Sequence, residues 1–503
     1  MTTIVLDAPL TWPRLAAVAG GARLMLSEPA RARIAEARAI VEALVETGIR
    51  TYGVTTGVGA LSEIVVDRAQ QSRLSHNLLM SHAVGVGAPL GPVETRAIIA
   101  AQVNNYALGH SGVSPDVVDG LLALLDADLM PEAPAKGSLG YLSHMAHIAL
   151  VLIGAGRAAL AGERLTGAEA LARIGRAPLQ LAAKDGLSLI NGTPCGTGLG
   201  ALALARANRL LDWADAAAAM SFEALLGEPA AFDAESLALR PSPGLLAVGE
   251  RLRGFLDGSP MLAGPRRRTQ DAISLRAVPH VHGAARDAFD AAAAVVDREL
   301  ASVTDNPAVA GTPAAPKVFS EAHAMGAALA LALDGLGVAV ATVAAMSERR
   351  LDRLINPLVS GLPAFLAGEG GVSSGFMIAQ YTAASLVAEN RRLASPASLD
   401  GGITSALQED HLVHSTPAAL KALTILDNAE AILGIELLAA AQAYDARAAV
   451  SVAGGEADPV ARAAGTERIY RAVRGIVARY ADDRPLSDDM AAAAALIHGE
   501  DVP

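Results

Sequence analysis

Aromatic side chains are scarce in this chain: they make up 3% of its 503 residues, although 52% of the residues are hydrophobic. A core with so few of them is built from Ala, Leu, Val and Ile, which pack helices closely, and the composition predicts an all-α protein. Cysteine is nearly absent as well. Cys195 stands alone, which excludes an internal disulfide framework or a cysteine-based zinc site within one chain and suits a reducing cytoplasm. Positive charge is short, with 40 basic residues against 52 acidic ones and a net charge of -12. Such a chain repels phosphate backbones, so nucleic acid is not expected as a partner. The opening MTTIVLDAPL has no basic run ahead of its apolar residues, and no secretory signal is expected. Ala324 to Met346, with Asp334 as its one charge, is long enough to cross a bilayer. Its Ala and Gly content and the lack of a second such segment read it instead as a core helix, with no membrane partner.

The chain otherwise reads as helices interrupted by polar, glycine-bearing loops. Residues 1 to 25 look loosely structured. Ser27-Glu28-Pro29 opens a helix that ends near Gly48. Tyr52 to Gly59, YGVTTGVG, has no helical period and reads as a loop where backbone approaches something closely. A helix is expected from Asp67 to Ser81, then another glycine-bearing turn from His82. Gly137-Ser138-Leu139-Gly140 is a tight loop feeding an apolar helix from Tyr141 to Gly154. Asp185 to Gly200, DGLSLINGTPCGTGLG, reads as a glycine-rich loop ahead of an Ala/Leu helix. Its Gly196-Thr197-Gly198 is no dinucleotide site, because no strand precedes it. A basic knot, Arg266-Arg267-Arg268, precedes QDAISLR, and long helices flank Thr304-Asp305-Asn306-Pro307. The division expected is a loop-rich helical domain over 1–200 and a long-helix bundle with C-terminal helices over 201–503. Helix bundles build sites from such facing loops.

Taken in order, YGVTTGVG, NLLMSHAVGVG, KGSLG, LINGT, QDAISLR, TDNP, SERR, SGLPAFL, ENRRLASPAS and QEDH resemble the aromatic amino acid lyase family of histidine, phenylalanine and tyrosine ammonia-lyases, over roughly residues 27 to 430. The resemblance implies a long central helical bundle of fumarase/aspartase-type architecture and a homotetramer whose active sites are shared between subunits. By the same resemblance Tyr52 is the catalytic acid/base, His82 a substrate-ring contact, and Asn191 the asparagine beside the family's electrophile. Arg276 is the residue that grips the substrate carboxylate, as a planar guanidinium does. Gln270, Gln408 and Glu409 are polar wall residues.

The family's electrophile is methylidene-imidazolone (MIO), which forms by cyclisation of Ala-Ser-Gly within Gly-Ser-Val-Gly-Ala-Ser-Gly-Asp-Leu. Here Gly140 is followed at once by Tyr141-Leu142-Ser143-His144, without Ala-Ser-Gly. Other family positions differ too: Ile273 replaces a tyrosine, and Glu321-Ala322-His323-Ala324-Met325-Gly326 replaces Gly-Gly-Asn-Phe-His-Gly. These departures predict an enzyme with no cofactor, performing MIO-independent addition, elimination or cyclisation on a small carboxylate or activated acyl substrate whose own carbonyl acidifies its proton. Tyr52 would be the general acid/base, Arg276 and Asn191 would orient the anionic group, and Tyr141, His323 and Glu409 would shape the pocket over the former loop of Ser138, Gly140 and Tyr141. His323 reads equally as a packed histidine. His144 and His147 read as core or interface residues, so no metal is expected. The alternatives are an MIO-dependent lyase for histidine or a related aromatic amino acid, its Ala-Ser-Gly missing from the written sequence, and a non-catalytic tetrameric homologue.

Overall fold

The computed structural model describes residues 2–140, 142–263, 268–453 and 461–503; Tyr141 and the Arg266 and Arg267 of the basic knot lie outside the described residues. Helices dominate, as the composition predicts. The longest are Pro194–Ala224, Val278–Leu300, Ala327–Ile355 and Ser415–Ala453. The chain divides into one unit made of 1–205, 292–334 and 396–420, and a second made of 206–291, 335–395 and 421–503. Helix Ala327–Ile355 takes in all but the first three residues of the membrane-length apolar stretch, and 61% of its most apolar window is buried. That burial is what an all-round apolar helix requires when protein surrounds it.

Local chemistry explains the helix boundaries in the first unit. Helix Glu28–Thr47 begins where the Ser27 side chain accepts from the Ala30 N–H and stops at Gly48 in the left-handed conformation. Its inner face, Ala37, Ile40, Val41 and Leu44, packs with Val54 and Val309 into an apolar cluster. Val309 belongs to a hairpin of Ala308–Thr312 against Ala315–Phe319, which follows the TDNP turn.

Two expectations are corrected. Residues 1–25 are ordered: Thr3–Leu6 and Arg23–Leu26 pair in parallel around helix Trp12–Ala19. Alternation decides this, since Ile4, Leu6, Leu24 and Leu26 are buried while their neighbours face out. The stretch 185–200 is not a loop but two helices, Asp185–Ile190 and the start of Pro194–Ala224, broken only at Asn191 to Thr193. Its glycines serve packing. A Cβ on Gly198 would lie 2.7 Å from the Ala97 carbonyl oxygen, so glycine lets these two helices touch through backbone.

The second unit gathers several interior polar groups around one ion pair. Arg350 and Glu436, both fully buried, form a two-pronged ion pair at 2.6 and 2.9 Å. Ser221 donates to the same carboxylate, and His282 sits between Arg350 and Asp215.

Candidate active site

Within the first unit, a pocket of about 700 Å³ opens between the Tyr52–Ser62 loop, His82, Leu142, the Leu187–Asn191 segment, Asn306, the 320–325 loop and residues 405–409. It brings together Tyr52, His82, Asn191, Gln408 and Glu409. The sequence motifs that carry them are far apart in the chain, and the break between helices at Asn191 and the non-helical run from Tyr52 are what bring side chains to one wall.

Tyr52 is half-buried, and its phenol oxygen accepts from the Gly59 N–H at 2.9 Å. A backbone donor there fixes the position of the phenol oxygen at the pocket wall. His82 ends helix Gln71–His82. Burial pushes its imidazole below the ordinary histidine value, while the backbone at Leu78 and the Glu409 carboxylate pull it partly back. His82 and Glu409 thus line the same pocket within electrostatic reach of each other. Glu409 is anchored by Thr404, whose hydroxyl donates to the carboxylate at 3.3 Å. Gln408 lies at the exposed rim.

Asn191 is buried, and its amide nitrogen donates to the Asn306 carbonyl at 2.6 Å and to Asp305 at 3.3 Å. Behind it, Lys184 and Asp305 form an ion pair at 2.8 Å with no exposed side-chain surface on either partner. Ser188 at 3.0 Å and Ser111 also donate to Asp305. Sequence reasoning assigned no role to Lys184 or Asp305, although both lie beside motifs it had singled out, just ahead of LINGT and inside TDNP. Ser62, Ser320, Glu321 and Asn306 also line the pocket.

His323 belongs to the 320–325 loop but is not itself a lining residue; its Nε2 lies 3.4 Å from the Glu321 carboxylate. His144 Nε2 donates to the Ala135 carbonyl at 3.0 Å, and His147 Nε2 accepts from the Gly85 N–H at 3.0 Å. Gln270 and Arg276 belong to the second unit. Gln270 is exposed and Arg276 half-buried, and Arg276 makes no side-chain hydrogen bond or ion pair among the described residues.

The loop at Gly140 meets the starts of several helices. A Cβ on Gly140 would lie 2.9 Å from Ser415 Oγ, one on Gly196 3.1 Å from the same atom, and one on Gly326 3.2 Å from Ser415 and Thr193. Helices Ser143–Leu152, Pro194–Ala224, Ala327–Ile355 and Ser415–Ala453 therefore begin around one point. Their unpaired amides favour negative charge. Ser143 Oγ and Ser415 Oγ are buried there without a hydrogen-bond partner among the described residues. These groups fit an anionic oxygen such as MIO would present, whereas residues 138–140 and 142–144 contain no Ala-Ser-Gly to form it. The chain across this seat is strained, because Leu142 takes φ 80, a conformation that costs a side-chain-bearing residue about 1–3 kcal/mol.

Comparison with known proteins places this geometry. The aromatic amino acid lyase family matches residues 10–475. The histidine ammonia-lyase of Symbiobacterium thermophilum is 46% identical, over 99% of this chain and 97% of that protein. Among solved structures, histidine ammonia-lyase from Trypanosoma cruzi superposes with a TM-score of 0.90 at 36% identity, covering 99% of this chain and 93% of the other. Tyrosine aminomutase from Streptomyces globisporus superposes with a TM-score of 0.92 at 34% identity, covering 99% and 97%.

The relatives overturn the expectation of a cofactor-free enzyme with MIO-independent chemistry. Proteins this similar over their full length are named histidine ammonia-lyase, and that name implies the MIO group. The physical reason lies in the reaction those names imply: the β-proton of an amino acid is too weakly acidic for a tyrosine to remove without an electrophile. The chain is a lyase with the ammonia-lyase fold, and it belongs to the aromatic amino acid lyase family.

Proposed function

We propose that this protein is a histidine ammonia-lyase, removing ammonia from L-histidine to leave the conjugated imidazolylacrylate. The observation that carries the reading is the 46% identity to a histidine ammonia-lyase along nearly the whole chain, together with a pocket whose polar wall suits an imidazole. His82 and Glu409 offer the substrate ring a neutral imidazole and a carboxylate, which can exchange hydrogen bonds with both of its nitrogens. Tyr52 moves the β-proton, steadied by the Gly59 N–H. MIO, when present, supplies the electrophile that makes the proton removable.

Among the described residues, the pocket's own lining includes no lysine or arginine. A substrate carboxylate needs one, and we assign that role to Arg276 of a neighbouring copy in a homotetramer. Cytoplasmic residence agrees with the lone buried Cys195, whose thiol burial pushes up to about 12 and so keeps unreactive. Intact mass tests the cofactor. The expected result is the mass of the written chain plus a dehydrated Ala-Ser-Gly at the loop that Leu142 now closes; a mass equal to the written chain, 51.1 kDa, would sink the assignment.

A further inference from the structure

The contacts of Asn191 decide which end of its amide the pocket receives. Its neighbours on one side are the Asn306 carbonyl at 2.6 Å and the Asp305 carboxylate at 3.3 Å. Both are acceptors, so the nitrogen must face them whatever a rotation of the amide would otherwise allow. Its two hydrogens are then spent, and the amide oxygen is what remains. No donor among the described residues is paired with that oxygen, and Asn191 lines the pocket beside Tyr52 and Leu142.

Asp305 is in turn fixed. One of its oxygens takes Lys184 Nζ at 2.8 Å, Ser188 Oγ at 3.0 Å and the Ser111 hydroxyl, which leaves the other facing Asn191. Lys184 also donates to Ser188 at 2.9 Å, so the ammonium and the carboxylate share a partner. Burying such a pair is costly and gives little net stability, so its retention behind one pocket side chain invites a role in placement.

We propose that the Lys184–Asp305 ion pair is a positioning device that holds Asn191 as a hydrogen-bond acceptor, and that Asn191 receives an N–H of the substrate's amino group rather than orienting its carboxylate. This rests on the histidine ammonia-lyase reading. Lys184 and Asp305 touch no substrate; they act through Asn191. An acceptor beside the departing ammonia holds the amine in line while Tyr52 works on the neighbouring carbon.

The test is equilibrium binding in the full-length Tyr52→Phe protein, where turnover is blocked. The probes are L-histidine and imidazolylpropanoate, which keeps the ring and the carboxylate but lacks the amine. Asn191→Leu should weaken L-histidine about tenfold or more, as loss of a hydrogen bond to a charged group does, and leave imidazolylpropanoate within about twofold. The double variant Lys184→Met/Asp305→Asn, which frees the amide to rotate without stranding a charge, should show the same split. Equal weakening of both probes by Asn191→Leu would mean a carboxylate or ring contact and overturn the proposal. A folded double variant that binds both probes as the parent does would overturn the positioning role, and if the double does not fold, Asn191→Leu still decides the acceptor assignment. A parent protein that binds neither probe overturns the function proposed above, and this inference with it.

Discussion

The two units each bury an ion pair with no exposed side-chain surface, Lys184–Asp305 in the first and Arg350–Glu436 in the second. They differ in where their hydrogen bonds end. Arg350 and Glu436 satisfy Ser221 and His282, and the set runs on through Asp215 to Arg251, Arg286 and Asp212, all within the second unit. Lys184 and Asp305 end on Asn191, which lines a pocket. Both pairs cost desolvation, and neither is strong evidence for stability by its existence. The contrast teaches that a buried charge is read by what it holds: one set ends in further ion pairs and serves packing, the other is spent on the orientation of a single amide.

That contrast is open to breaking by mutation. The largest expected effect is at the pocket. Tyr52→Phe should lower kcat on L-histidine by about two to four orders of magnitude, the usual span for a lost acid/base group, while stability falls by no more than the roughly 1 kcal/mol of the lost Gly59 hydrogen bond. Steady-state kinetics beside calorimetry read both. The second unit should respond in reverse. Arg350→Met strands Glu436 and should cost about 3–5 kcal/mol in denaturant unfolding, with the turnover of each remaining folded molecule unaltered. An Arg350 variant that is stable but slow would erase the distinction.

Acid should act on both units. Burial holds His144 in the first unit and His282 in the second below the ordinary value of 6.5. The unfolded chain then binds protons that the folded one refuses, so the stability these histidines contribute is present above 6.5 and is lost as pH falls through it. Melting temperature should therefore decline on acidification below that value, and a profile flat to pH 5 would contradict their neutral burial. The smallest effect belongs to Glu409→Gln. Loss of its charge removes an interaction that raises His82, so the acid limb of the activity profile should move to lower pH. Movement to higher pH would mean that another group sets that limb.

How much of this was legible in the sequence varies by residue. Composition and apolar period carried the all-α class, because Ala and Leu in place of aromatics leave helix packing as the way to fill a core. Tyr52, His82, Asn191, Gln408 and Glu409 were reachable through their motifs, and one pocket contains them all. Glycine misled the reading of 185–200, since a residue that permits a turn equally permits two helix backbones to touch at Gly198. The strand at Thr3–Leu6 was missed because four alternating residues are too short a signal without their partner Arg23–Leu26. Lys184 and Asp305 carried no signal of their partnership, since their contact joins residues 121 positions apart. The cofactor is legible in the sequence only by its missing Ala-Ser-Gly, whereas the helix starts gathered around Ser415, with its buried unpartnered hydroxyl, come together only in three dimensions.

The most direct test of the central claim is ammonia release from L-histidine by the purified protein, followed together with the ultraviolet absorbance of the conjugated product. The account predicts ammonia and imidazolylacrylate in equal amounts, with release slowed by about two to four orders of magnitude in Tyr52→Phe. A folded protein that binds L-histidine and releases no ammonia from it would contradict the account.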